Sequence, residues 1–168
     1  YASEKLYTVM QLHQGKELWE QLYTAQGYNK NIDAEKKLLF AIKAAEAIKH
    51  LHEHRIIHAD IKPQNFMANA KNDLITVAAI DFGFAKILPE GQDKIIAEKE
   101  SGTPGYAAPE VYHREYSFAS DIYALGIMYQ EDFGIKIPGI LSPDPALRPN
   151  MAQLLDQLYK KLEAVPHL

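Results

Sequence analysis

The chain has no cysteine. That excludes disulfides and any metal site built on thiolates. It fits a reducing compartment, although many extracellular domains lack cysteine as well. No run of about 18 apolar residues occurs, so no membrane span is expected. There is no basic surplus either: 18 Lys and Arg face 22 Asp and Glu, a net charge of -4. A nucleic-acid binder needs spare cations to neutralise phosphates, so that class is set aside. The opening Tyr1-Ala2-Ser3-Glu4-Lys5 has no initiator methionine and no signal-peptide pattern. It reads as the middle of a longer protein or as a trimmed piece. No internal repeat and no low-complexity tract stands out. What remains is an ordinary folded domain of 168 residues, 47% hydrophobic and 24% charged, long enough for one core.

The pattern is mostly helical with a few short strands. Residues 6–12 are apolar and β-branched enough for a strand, which Gly15 breaks. Residues 17–23 have helical spacing, with Leu18, Trp19 and Leu22 apolar. A polar loop follows around Gly27 and residues 29–31. Asp33 is a good N-cap for a long helix running to about His54, with Lys36 where a capping box would want Glu or Gln. Leu38, Ala41, Ile42, Ala45 and Ile48 form its apolar stripe, extended by Leu51. Residues 66–68 and 75–80 read as strands around a turn at 69–73. Residues 84–106 read as a long loop, and structureless loops of that size are usually functional. Residues 121–130 are apolar nearly all round, the mark of a buried helix. Four prolines make residues 134–149 a connection, after which Asn150 caps a last amphipathic helix.

The chemistry concentrates in two runs. His58-Ala59-Asp60-Ile61-Lys62-Pro63-Gln64-Asn65 is followed, sixteen residues after Asn65, by Asp81-Phe82-Gly83. Two acids, an amide and an amine at this spacing can manage ATP and Mg²⁺ together. Asn65 offers an amide oxygen and Asp81 a hard anionic oxygen for the ion. Alone, an Asp in a loop is far more often a turn former than a catalyst. The argument therefore rests on the combination, and on a third run, Gly102-Thr103-Pro104-Gly105-Tyr106-Ala107-Ala108-Pro109-Glu110, that follows in order.

Together the three runs resemble the eukaryotic-type Ser/Thr protein kinases. The resemblance covers most of the chain and only that fold's C-terminal lobe. It implies a mainly α domain with short β-strands: a hinge strand over 1–14, the catalytic loop and metal-binding segment over 55–83, an activation segment over 84–110 and C-terminal helices over 120–168. It implies Asp60 as the catalytic-loop aspartate beside the acceptor hydroxyl and Lys62 as the ammonium near the transferred phosphate, a lysine typical of Ser/Thr rather than tyrosine kinases. Asn65 and Asp81 would hold Mg²⁺ or Mn²⁺. His58 would pack on Phe82, and Gly83 completes that motif. Thr103 would bond Asp60 and Lys62. Glu110 and Arg148 would form a buried ion pair, and Asp121 would accept backbone N–H bonds from the catalytic loop. In the hinge, Met10 would stand behind the adenine, with backbone groups of Gln11 and His13 at its edge. Glu17 would reach the ribose hydroxyls or a basic substrate side chain, and Leu18 and Met67 would lie beneath the adenine ring.

Three departures from the family stand out. No Gly-rich loop, strand Lys or helix Glu precedes the hinge-like strand. These residues alone are therefore expected to have negligible activity, and an N-lobe or activating partner is expected from elsewhere. Ala59 replaces the Arg that normally grips a phosphorylated activation loop, so activity is expected not to need that phosphorylation. Only 27 positions separate Asp121 from Arg148. The family's usual spacing is longer, and its next helix is expected here to be deleted or reduced to residues 133–141. Compact kinases of this kind resemble those that bacterial pathogens inject into host cells. The expected compartment is cytoplasmic, of the host in that case. The expected partner is a protein carrying a Ser or Thr acceptor. Two other functions stay open: a pseudokinase-like binding scaffold, and a small-molecule phosphotransferase, which the third run disfavours.

Overall fold

The computed structural model describes residues 15–25, 27–29, 32–71 and 74–166. The expected strand over residues 6–12 lies outside them. Strand β1 (Lys16–Glu17) leads into a short helix, α1 (Leu18–Leu22), and β2 (Tyr23–Thr24) pairs with β3 (Gly27–Tyr28). The frame of the domain is α2 (Ala34–Glu53). Its cap is the expected one: the Asp33 side chain accepts the Lys36 N–H at 2.7 Å, satisfying one of the helix's orphan donors. Leu38, Ala41, Ile42, Ala45 and Ile48 are all buried, and Phe40 and Ala44 join them. The buried face is thus wider than the predicted stripe. The reason is tertiary, because α2 is packed from several directions.

Four short strands follow: β4 (Ile56–Ile57), β5 (Phe66–Lys71), β6 (Leu74–Ala79) and β7 (Lys86–Ile87). β1, β5 and β6 make one antiparallel sheet, with Glu17 opposite Met67 and Phe66 opposite Ala79. β6 lies against α2. β4 pairs with β7, and β8 (Ile95–Ile96) pairs with β9 (Glu115–Tyr116). The stretch read as one long loop over 84–106 is therefore pinned at two points. A two-residue strand has no period to read, so only its partner defines it.

Helix α3 (Phe118–Ile127) begins earlier than the predicted 121, behind a capping box of Ser117 and Ser120. It is buried on most sides, as its sequence requires. A π-helical stretch (Met128–Phe133) continues it and ends at Gly134 in the left-handed region, φ 71°. Residues 133–141 form turns, not a shortened helix, with Ile137 and Ile140 buried. A Cβ on Gly126 would meet Ile140 Cγ2 and Leu141 Cδ2 at 2.8 Å, so a glycine is what lets these turns close on α3. The last helix, α4 (Met151–Glu163), carries a capping box of Asn150 and Gln153. Its Leu154 and Leu158 are wholly buried in the core that α2 and α3 share. Each such leucine contributes about 1.5–3 kcal/mol by leaving water. A second cluster, Ile57, Leu88, Ala108, Val111 and Tyr116, sits under residues 84–110. Among the described residues no helix is long and apolar enough to cross a membrane.

Candidate active site

The turn after β4 is built on a buried carboxylate from α3. Asp121, 1% exposed, accepts the His58 N–H on Oδ2 at 2.9 Å and the Ala59 N–H on Oδ1 at 3.0 Å. His52 Nε2 from α2 lies 2.9 Å from the same Oδ2. These bonds hold Ala59 in the left-handed region at φ 63°. An L-residue pays about 1–2 kcal/mol there, a strain that persists only when its surroundings over-determine it. His58 adds a second anchor. Its Nδ1 accepts the Asp60 N–H at 3.3 Å, which leaves Nε2 to donate to the Ile80 carbonyl at 3.0 Å. Its ring packs on Phe82, centroids 5.5 Å apart.

Asp60 is 4% exposed, and both of its carboxylate oxygens are bonded. Thr103 Oγ1 donates to its Oδ1 at 2.6 Å. Asn65 Nδ2 donates to its Oδ2 at 2.8 Å, and the Lys62 ammonium lies 3.0 Å from that oxygen. Lys62 also donates to Thr103 Oγ1 at 2.7 Å. Burial by itself raises the Asp60 pKa. The donors Thr103, Lys62 and Asn65 outweigh it and hold the carboxyl below its ordinary value. Thr103 can come this close because Gly102 adopts φ 115° and lacks a Cβ, which would sit 2.9 Å from the Ala59 carbonyl oxygen.

Lys62, Asn65, Asp81 and Thr103 share one open cleft of about 490 Å³, with Glu17 and Gln64 also on its wall. Asp60 does not line it; it stands directly behind three of its wall residues. Asp81 is exposed in the left-handed region at φ 59°. Among the described residues its carboxylate accepts only the Gly83 N–H, at 3.2 Å. Asn65 spends its amide N–H groups on Asp60, and among the described residues its Oδ1 has no partner. The Ile80 N–H to Asn65 carbonyl bond, 2.9 Å, keeps the two residues side by side. The second Asp81 oxygen and the Asn65 amide oxygen, both hard and both without a partner among the described residues, suit Mg²⁺ or Mn²⁺. Among the described residues no group of three His, Asp or Glu side chains gathers to cage a metal. An ion here would draw its other ligands from phosphate and water, as Mg²⁺ commonly does.

Other expected residues fall as follows. Glu110 and Arg148 form a bidentate pair at 2.6 and 2.8 Å. Arg148 spends its remaining N–H groups on the Ser142, Ala119 and Pro143 carbonyls. Glu110 is held below the usual carboxylate range: burial opposes this, and the Arg148 hydrogen bonds lead the causes that overcome it. Leu18 is corrected. It is 0% exposed, packed wholly into the core, and has no surface left for a ring. Met67 is half-buried on β5 opposite Glu17 and does not line the cleft. Met10, Gln11 and His13 lie outside the described residues.

Sequence reasoning missed two features. Gln64 Oε1 is buried in the cleft wall with no hydrogen-bond partner among the described residues, a state that costs about 1–3 kcal/mol until a donor arrives. Its place between Lys62 and Asn65 was the only available signal. Asp132, buried in the π-helical stretch, accepts the Tyr23 and Tyr106 hydroxyls, each at 3.0 Å. It ties the first hairpin to residues 84–110. Burial pushes its carboxyl up, and the two tyrosines only partly offset this. Nothing in the local sequence marks that convergence.

Comparison with known proteins bears on the whole chain. Residues 1–138 match the model of the protein kinase domain family. Myosin light chain kinase A of Dictyostelium discoideum is 35% identical over 126 residues, covering 74% of this chain and 40% of that protein. Calcium/calmodulin-dependent protein kinase cmkB of Emericella nidulans is 34% identical over 124 residues, 73% of this chain and 30% of that protein. Serine/threonine-protein kinase atg1 of Dictyostelium discoideum is 29% identical over 163 residues, 96% of this chain and 22% of that protein. The chain thus spans well under half the length of these relatives.

Proposed function

The chain belongs to the protein kinase domain family, and from that premise we propose that it carries the catalytic lobe of a Ser/Thr protein kinase. The reaction is transfer of the ATP γ-phosphoryl group to a Ser or Thr hydroxyl of a protein. The observation that carries this reading is the bonded set Asp60, Lys62, Asn65 and Thr103 opening on a cleft that also holds the exposed Asp81 carboxylate.

Each residue has a role that its chemistry supports. Asp60 stays ionised and accepts the hydrogen bond of the attacking hydroxyl; Thr103 already gives it one from the same functional group. Lys62 sets a positive charge where negative charge develops on the phosphoryl oxygens. Asn65 Oδ1 and Asp81 would hold Mg²⁺ or Mn²⁺, which when bound neutralises the phosphates. Glu17 and Gln64 would meet polar groups of nucleotide or substrate, and the orphan Gln64 oxygen asks for a donor. Phe82 and Phe84, 41% and 46% exposed beside the metal segment, support a further lobe or activating partner as the cover of the cleft. The proposed compartment is cytoplasmic, in keeping with a chain free of cysteine.

The test is thermal unfolding of this chain with ATP, with and without Mg²⁺. Nucleotide at ten times its Kd stabilises by about 1.4 kcal/mol, roughly 3–6 °C at this size. The rise is expected only with the metal present and is expected to vanish in Asp81→Ala. No rise under either condition would remove the nucleotide reading and favour a binding scaffold.

A further inference from the structure

Ala59 occupies the position where an arginine would receive a phosphate, yet residues 101–103 are closely held. The holding groups are Lys86 on β7 and Tyr116 on β9. Lys86 Nζ donates to Ser101 Oγ at 2.6 Å and to the Phe84 carbonyl at 2.9 Å. The same ammonium lies 4.2 Å from the centroid of the Tyr116 ring. Tyr116, 0% exposed, closes the other side. Its hydroxyl accepts the Ser101 N–H at 2.7 Å and the Ser101 hydroxyl at 3.1 Å, and donates to the Ser101 carbonyl at 3.0 Å. The backbone and the side chain of Ser101 are therefore both gripped, by Tyr116 from beyond residues 84–110 and by Lys86 from fifteen residues earlier in the same stretch.

The path from this grip to the site is two residues long. Gly102 follows, seated against the Ala59 carbonyl, and Thr103 then makes its two bonds to Asp60 and Lys62. A displacement of Ser101 would act on Thr103 across a single residue, Gly102, which packs against the Ala59 carbonyl. Lys86 has no carboxylate within ion-pair distance among the described residues, so its charge is spent on neutral oxygens and a ring face. Burial holds its pKa below the ordinary lysine value, with the Asp121 charge opposing. Ser101, for its part, already donates its O–H and accepts from Lys86. A phosphate on that oxygen would remove the O–H that Tyr116 accepts.

We infer that Lys86 is a positioning residue for the catalytic set: through an unmodified Ser101 clamped by Tyr116, it fixes Thr103 against Asp60 and dispenses with a loop phosphate. The inference rests on the phosphoryl-transfer reading for its purpose but is tested without ATP. The whole chain is labelled with ¹³C in its threonine methyl groups, of which there are four: Thr8, Thr24, Thr76 and Thr103. Thr103→Ser identifies the reporting line. Phosphatase treatment is expected to leave that line in place. Lys86→Met is expected to shift and broaden it while Thr24 and Thr76 stay put, and Lys86→Arg to restore it. Ser101→Ala should reproduce Lys86→Met, and the double variant should look no worse than either. If Lys86→Met does not fold, Ser101→Ala, which removes one oxygen, carries the same test. An unmoved Thr103 line in Ser101→Ala, or one that phosphatase alone displaces, would overturn the inference. Neither outcome touches the nucleotide test, whose failure shows only in the ATP-dependent melting.

Discussion

Replacing Asp121 by Asn keeps the shape of the side chain and removes one acceptor from a site that needs two. Three donors converge there: His52 and His58 on one oxygen, Ala59 on the other. The amide oxygen of Asn serves the two-donor side best. Its NH₂ group then faces the Ala59 N–H, donor against donor, in a place 1% exposed to water. One hydrogen bond to a charged group is lost, worth about 1.5–3 kcal/mol, and the two that remain become neutral and weaker. The buried Ala59 N–H is left without an acceptor, which adds to the cost. A total near 3 kcal/mol is expected, a fall of roughly 6–12 °C in Tm at this chain length. Urea unfolding gives the free energy directly. Amide exchange adds the location: the His58 and Ala59 N–H groups should exchange faster than the globally protected core. Because Ala59 is strained, freeing it should also loosen Asp60. A loss below about 1 kcal/mol, or exchange that rises uniformly, would refute the idea that this one carboxylate holds the turn at residues 58–60.

Arg148→Lys should be far from conservative: every guanidinium N–H is in use, an ammonium can replace three at most, and a loss of about 3 kcal/mol by urea unfolding is expected, with a loss under 1 kcal/mol telling against the pair as an architectural tie. Glu110 has its folded pKa depressed, so its stabilisation is present above the unfolded value of about 4.3 and is lost as pH falls through the folded one. Glu110→Gln should flatten that part of the acid limb when Tm is followed from pH 6 down to 3, and an unchanged limb would contradict the assignment. Asp132 runs the other way: its folded pKa is raised, so stability declines as pH climbs from about 3.9 through the folded value. Asp132→Asn should therefore lack this decline and match or exceed the parent chain at pH 7; a clear loss there would mean the ionised carboxylate is needed by Tyr23 and Tyr106. Ala59→Gly should gain roughly 0.5 kcal/mol, the relief of left-handed strain less the entropy of glycine, and a destabilised variant would show the strain is not real.

Much of the scaffold was legible because it is periodic. The α2 stripe, the all-round apolar character of α3 and the caps at Asp33 and Asn150 each follow from local rules. What resisted reading has no period. β7 and β8 are two residues each, and the turns over 133–141 exist because Gly126 lets them approach α3. Leu18 misled for a related reason: an apolar residue beside a proposed cleft can face the cleft or the core, and only packing decides.

At the site, motif spacing brought Asp60, Lys62, Asn65, Asp81 and Thr103 to attention. It carried no information about how their bonds would be shared. That Asp60 sits behind the cleft, bonded at both oxygens, while among the described residues one oxygen of Asp81 and the Asn65 Oδ1 have no partner, depends on where Thr103 lands. That landing depends in turn on Gly102, Ser101, Lys86 and Tyr116, which come from three separate stretches of chain.

Sequence by itself determined which residue types could do chemistry and which segments must be helical, since both are properties of neighbours along the chain. The tertiary structure alone decided which polar atoms are spent on each other and which are left for a ligand. Hydrogen-bond capacity is consumed in space, by groups far apart in sequence, as Asp121 and His58 are at a separation of 63 residues.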